Sequence, residues 1–155
     1  MPNWCSNKIV IKGDQREIER FLERAKGQGE DRVSDVCLES LIPTPKELLE
    51  GDGWYKWRLE NWGSKWDLCE VYLTKNSGDG LLEIRYETAW SPICEAVSTL
   101  SIMFPDLDFY HEFIEQGVEF AGYETYRRGE LIGSMSEIDF ETKEYRRIQR
   151  EIGWN

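Results

Sequence analysis

Four of the seven tryptophans, Trp54, Trp57, Trp62 and Trp66, fall within thirteen residues, and Lys65 and Asp67 flank the last of them. Indoles in such a cluster have two uses. Each can bury on the order of 200 Å² and so pin a long segment to a sheet. They can also form a rim around Lys65 and Asp67 that receives a planar ligand or a partner side chain, with a cation–π contact from the ammonium group. Trp62, Lys65, Trp66, Asp67 and, further along, Trp90 are therefore the candidate ligand- or partner-binding residues.

A second constellation is acidic. Residues 106–144 hold eleven acidic and three basic groups. Asp108, Tyr110, Glu112, Glu119, Glu124, Glu137, Asp139 and Glu141 are the candidate acidic surface. One reading is a solvated face that keeps the protein in solution. The other is a negative surface shaped to occupy the basic cleft of a nucleic-acid-handling protein.

The residue types of catalysis are sparse. His111 is the one histidine, and it falls on the apolar side of a predicted strand, where a core histidine with a satisfied hydrogen bond is expected. No GxSxG, HExxH, Walker-type or GxGxxG spacing occurs. The cysteines, at positions 5, 37, 69 and 94, never come closer than 25 residues, so no CxxC clamp is present. They read as free thiols in a reducing compartment. No catalytic residue, metal or cofactor is expected from these patterns, and the chain is read as a non-enzyme.

The elements that must position these residues follow from periodicity. Residues 4–12 alternate as a strand, with Ile9 and Ile11 on one side and Lys8, Val10 and Lys12 on the other. Asp14 and Glu17 have capping-box spacing, and Ile18, Phe21, Leu22 and Ala25 form one helical stripe that stops near Gly27. Residues 27–67 form an insertion too long for a plain loop. Within it, residues 33–42 suggest a short extended stretch, Thr44-Pro45-Lys46-Glu47 opens a short helix, and Trp54, Trp57 and Asn61 lie at helical spacing before Gly63.

Two strands, 68–74 and 81–87, flank a turn-rich segment at 76–80. Ser91-Pro92 opens a second helix through Ile93, Val97, Leu100 and Phe104, with the Ser91 hydroxyl as its expected cap. A fourth strand, 107–113, places Leu107, Phe109, His111 and Phe113 inward. The order strand–helix–strand–strand–helix–strand predicts an α+β ferredoxin-like βαββαβ fold, an antiparallel sheet with two helices on one face. Tyr72 and Tyr110 fall on its expected edge strands. That leaves the central strands without the aromatic pair that base stacking on such a sheet requires. The rest reads as a hairpin turning at Arg128-Gly129 and a short helix through Tyr145, Ile148 and Ile152.

Length and charge bound the whole. At 155 residues the chain is read as a single domain, 1–155, with a core over 1–125 and an extension over 126–155. No run approaches the ~20 apolar residues of a membrane span, and no secretory leader is read at the start. A net charge of −11 argues against direct binding to nucleic acid or to anionic membranes.

Four motifs together carry a resemblance: Met1-Pro2-Asn3-Trp4-Cys5-Ser6-Asn7, Asn61-Trp62-Gly63-Ser64-Lys65-Trp66-Asp67, Thr88-Ala89-Trp90-Ser91-Pro92, and Glu115-Gln116-Gly117 followed by Phe120 and Gly122. Over residues 1 to about 125 the chain resembles the ferredoxin-like domain family of phage- and plasmid-borne proteins, Api92-like and YubB-like. Gln116 stands where that family shows a proline. The resemblance implies the fold, a bacterial cytoplasm and a mobile-element origin, and it carries over no catalytic residues. The expectation is an accessory protein that acts by binding a host protein with a basic surface, as an acidic, nucleic-acid-mimicking inhibitor of a defence or nucleic-acid-handling factor. The alternative is a small-ligand or nucleotide module built on the tryptophan insertion. The oligomeric state is left open.

Overall fold

The computed structural model of the protein describes residues 2–27 and 35–153. Among these residues the first strand is β1 (Trp4–Lys12), followed by α1 (Gln15–Ala25). Asp14 caps α1 by accepting from Arg16 N at 2.8 Å, while Glu17 turns aside to pair with Arg20. The apolar stripe does what its spacing predicts: Ile18, Phe21 and Ala25 are buried. Phe21 meets Phe104 edge-on at 5.3 Å.

The described part of the insertion holds three short helices joined by turns, α2 (Leu38–Leu41), α3 (Lys46–Leu49) and α4 (Gly53–Asn61). The extended stretch expected over 33–42 is thus corrected over its second half; residues 33 and 34 lie outside the described residues. The reason is local. Asp67 receives the first two free N–H groups of α2, Leu38 N at 2.7 Å and Glu39 N at 2.9 Å, and those two bonds fix a helical turn.

Strands β2 (Cys69–Asn76) and β3 (Leu81–Ala89) form the predicted hairpin. Gly80 closes it at φ +93, against Gly13, whose carbonyl oxygen a Cβ would strike. Helix α5 (Cys94–Met103) follows, then β4 (Asp108–Glu115). The Ser91 hydroxyl does not cap α5. It donates to Gly63 O at 2.5 Å, and Trp62 O accepts the α5 amide of Ala96 at 3.3 Å. The insertion, not a serine, completes that helix end.

The chain ends with β5 (Phe120–Arg127), β6 (Glu130–Ile138) and α6 (Lys143–Ile152). The sheet order is β2-β3-β1-β4-β5-β6, antiparallel throughout. The first four strands have the βαββαβ arrangement, with α1 and α5 packed on one face over Ile9, Ile11, Leu82, Ile84 and Phe109. The turn at Arg128-Gly129 has positive φ at both residues, 54° and 78°, as a two-residue hairpin turn requires.

Two expectations are corrected here. β4 is not an edge strand, because β5 pairs with it over its full length, and Tyr110 therefore lies inside the sheet. The other face of the sheet is not open. α6 lies across it and buries Tyr145, Ile148 and Ile152 against Ile114, Ala121 and Ile138. No helix among the described residues is long and apolar enough to cross a membrane.

Candidate functional site

The tryptophan insertion divides into two parts. Trp62 is fully buried, donates its indole N–H to Ile42 O at 2.9 Å and meets Trp57 edge-on at 6.1 Å. The Arg58 guanidinium lies over Trp62 at 4.8 Å and over Trp54 at 5.0 Å, and reaches Thr44 Oγ1 at 3.1 Å. Asp67 is partly buried as the cap of α2 and also accepts from Leu68 N at 2.7 Å. Burial raises its carboxyl above the ordinary value, while the three N–H groups work in the opposite direction. Trp62 and Asp67 thus hold the insertion together and do not face a ligand.

Lys65 and Trp66 do come together, with the ammonium 4.5 Å from the ring centroid. Trp66 is exposed and leans on Trp4 at 6.3 Å. Trp90 is also exposed, with φ +70 in the left-handed region, held there by its N–H on Asn3 O at 2.8 Å. Beside Trp4 an open pocket of about 360 Å³ is lined by Trp4, Cys69, Glu70 and Glu87. Burial pushes the Glu87 carboxyl up to about 7, against the Ser6 hydroxyl that donates to it, and Glu70 adds to the rise. Trp4 and Glu87 were not among the sequence candidates. The signal for them is the β1–β3 pairing of Ser6 with Glu87, which periodicity alone does not show.

The acidic candidates also separate. Glu112 is buried beneath α6, where Lys8 lies 3.2 Å away, Arg147 donates at 2.8 Å and the Tyr110 hydroxyl at 2.5 Å. Burial would raise its carboxyl, but Tyr110, Arg147 and Lys8 prevail and hold it below its ordinary value. Glu124 is buried on the opposite face, against His111 at 3.0 Å. Asp108 pairs with Arg127 at 3.4 Å. Glu119, Glu137, Asp139 and Glu141 are exposed. They lie near β6, whose first eight residues are exposed and whose outer edge has no strand beside it among the described residues. Leu131, Ile132, Met135 and Phe140 stand about half exposed on and beside that strand.

His111 is buried and hydrogen-bonded, as expected of a core histidine, and its partners are ones the sequence did not name. Its Nε2 lies 3.0 Å from Asn7 Oδ1 and its Nδ1 3.0 Å from Glu124 Oε1, while Tyr126 donates to the other Glu124 oxygen at 3.2 Å. Cys94, at the first turn of α5, is the third member of this cluster. Asn7, His111 and Glu124 share one face of three neighbouring strands.

The βαββαβ core, the two strands added at β4 and the helix laid on the far face define a six-stranded ferredoxin-like α+β protein. The chain belongs to the Api92-like family: the family described as the ferredoxin-like domain in Api92-like protein matches residues 69–151. That match runs through β6 and α6, so the last elements belong to the family domain. The chain is 30% identical to YubB of Escherichia coli (strain K12) over 79 residues, 50% of this chain and 54% of that protein. It thus spans about half the length of this curated relative. The crystal structure of Api92 from Yersinia pseudotuberculosis has the same fold, with a TM-score of 0.61 at 11% identity, covering 88% of this chain and 98% of that one.

Proposed function

We propose that this protein is a non-catalytic binding module that captures a basic host protein along β6, within the cytoplasm of a bacterial host. The observation that carries the reading is the edge of β6, which is unpaired among the described residues. Nine residues, Glu130–Ile138, form an edge strand exposed over its first eight positions, without the lysine or proline that usually blunts such an edge. A partner segment can add as a further strand there, with backbone hydrogen bonds supplying affinity and alternate side chains supplying selectivity. Leu131, Ile132 and Met135 offer the apolar contacts, and Glu130, Glu137, Asp139 and Glu141 select a basic partner. A host defence or nucleic-acid-handling factor has that charge. The mobile-element setting rests on the family resemblance.

The test is affinity capture from host lysate with the wild type and with Ile132→Lys and Met135→Lys, whose exposed positions leave the fold intact. The reading expects a basic protein bound by the wild type, released by 0.5 M salt and lost from both variants. Retention of the same partner by the variants, or binding indifferent to salt, contradicts it.

A second reading is favoured by the pocket beside Trp4. Its acidic wall, Glu70 and Glu87, together with the aromatic rings of Trp4 and Trp66, suits a small cationic ligand better than a nucleotide. Tryptophan fluorescence across a metabolite panel separates the readings. Quenching by a cationic compound that disappears in Trp66→Ala supports the pocket, and a flat response leaves the β6 reading alone.

A further inference from the structure

The thiol of Cys94, a ring nitrogen of His111 and a carboxylate oxygen of Glu124 all lie within 4.8 Å of one another. Three different elements bring them there: the first residue of α5, the middle of β4 and the middle of β5. His111 is fully buried and Glu124 nearly so. Cys94 opens onto a cleft of about 360 Å³ whose other walls are Glu60, Glu95, Ser98 and Tyr126. The cluster is interior and has an entrance.

The hydrogen bonds around His111 give it a direction. Asn7 Nδ2 donates to Cys5 O at 2.9 Å and to Thr88 Oγ1 at 3.0 Å, so the amide oxygen of Asn7 is the atom that meets Nε2. Nε2 therefore carries a hydrogen, and Nδ1 is the nitrogen aimed at Glu124 and Cys94. A metal-bound imidazole is supported in this way, with one nitrogen on the ion and the other donating to a fixed oxygen. A second observation points into the same space. The Tyr86 hydroxyl is buried with no hydrogen-bond partner among the described residues, its ring stacks on His111, and Cys94 and Glu124 act on it electrostatically. An orphaned buried hydroxyl beside such a cluster is what a water on a bound ion would satisfy.

We propose that Cys94, His111 and Glu124 bind a zinc-type divalent cation through Sγ, Nδ1 and a carboxylate oxygen, with the fourth position open to the cleft. A thiolate, an imidazole and a carboxylate together suit zinc and exclude calcium and magnesium, which take oxygen ligands. Tetrahedral bonds of about 2.0–2.3 Å put neighbouring ligand atoms about 3.3–3.7 Å apart; here Nδ1 and the Glu124 oxygen are 3.0 Å apart and all three atoms lie within 4.8 Å of one another. The charges balance. Without metal, burial and Glu124 keep the Cys94 thiol protonated, and one hydrogen bond joins Nδ1 to Glu124 at 3.0 Å. On binding, the thiol proton and the proton of that hydrogen bond leave through the cleft, and the dication faces one thiolate and one carboxylate, so the buried site is neutral. Glu60 and Glu95 at the mouth favour the entry of a cation.

The experiment uses the full chain, treated with chelator and then titrated with Co²⁺ and Zn²⁺. Co²⁺ is expected to give a sulfur-to-metal charge-transfer band and the intense visible bands of a four-coordinate ion, and Zn²⁺ is expected to bleach both. In the wild type in mild urea, where brief opening exposes the Cys94 thiol to iodoacetamide, Zn²⁺ is expected to slow its labelling by roughly tenfold or more by holding the site closed, and to leave the partly exposed Cys37 and Cys69 unchanged. Cys94→Ser must abolish the band and Cys69→Ser must keep it. The labelling result decides the matter even if His111 or Glu124 variants fail to fold. Absence of the charge-transfer band, its survival in Cys94→Ser, or Cys94 labelling unchanged at saturating Zn²⁺ overturns the proposal.

Discussion

Asp67 shows how one side chain can carry a segment. Its two oxygens accept from Leu38, Glu39 and Leu68, so it caps the start of α2 and fixes the run into β2. Asp67→Ala removes three partners at once, and a loss of about 1–2 kcal/mol in urea unfolding is expected. Trp62 is the other pivot, since its indole, its carbonyl and the Gly63 carbonyl tie α4 to Ile42, α5 and Ser91. Trp62→Ala is expected to cost about 3–5 kcal/mol by the same measurement. Glu87 contributes a pH dependence. Its folded value of about 7 lies above the ordinary 4.5. Between those two the folded chain keeps a proton that the unfolded chain has lost, so its contribution to stability is full below about 4.5 and is lost as pH rises through about 7. Glu87→Gln removes that slope. The variant is expected to gain stability relative to the wild type between pH 5 and pH 8, and urea midpoints at the two pH values check it.

At the scale of elements, α6 is latched by a buried charge. Glu112 of β4 is held by Lys8 of β1 and Arg147 of α6, and Glu151 of α6 also reaches Lys8 at 3.2 Å. The Glu112 carboxyl is held below its ordinary value, so this contribution is present above about pH 4.5 and is lost as pH falls through the folded value. Glu112→Gln leaves Lys8 and Arg147 without their shared anion, and a cost of about 3–5 kcal/mol is expected. Hydrogen exchange is expected to show faster α6 amides in that variant than in the wild type, with α1 little changed. The latch was not legible in the sequence, although α6 itself was. Period-two alternation placed Glu112 opposite His111 and Phe113, but not which element would cover that side. The same limit explains β5 and β6. The hairpin was readable from Arg128-Gly129, whereas its pairing with β4 depends on contacts between distant strands. α1, β3 and α5 were readable because each one's own periodicity names its buried face. The tryptophan cluster was ambiguous because buried and exposed indoles have the same spacing; only the Ile42 carbonyl and the Arg58 guanidinium separate Trp62 from Trp66.

For the whole molecule, the net charge of −11 sets how it meets other molecules. Two copies repel, and Glu130 and Glu137 on β6 add to this where two edges would meet. Sedimentation velocity at low ionic strength is therefore expected to show a monomer, which keeps the β6 edge available to a partner of opposite charge. The acidic field is thinner than composition suggests, because Glu112 and Glu124 are interior and Arg147 shares the α6 side of the sheet. Of the acidic candidates that stay exposed, Glu137 is on β6 and Asp139 and Glu141 follow it directly, while other exposed acids such as Glu19, Glu47, Glu60 and Asp79 are spread over the helices and turns. The most direct test of this account is amide hydrogen exchange of the full chain with and without its captured partner. The account predicts new protection confined to Glu130–Ile138, where a strand is added. Protection at Lys65, Trp66 and Trp90 with β6 unchanged would contradict it.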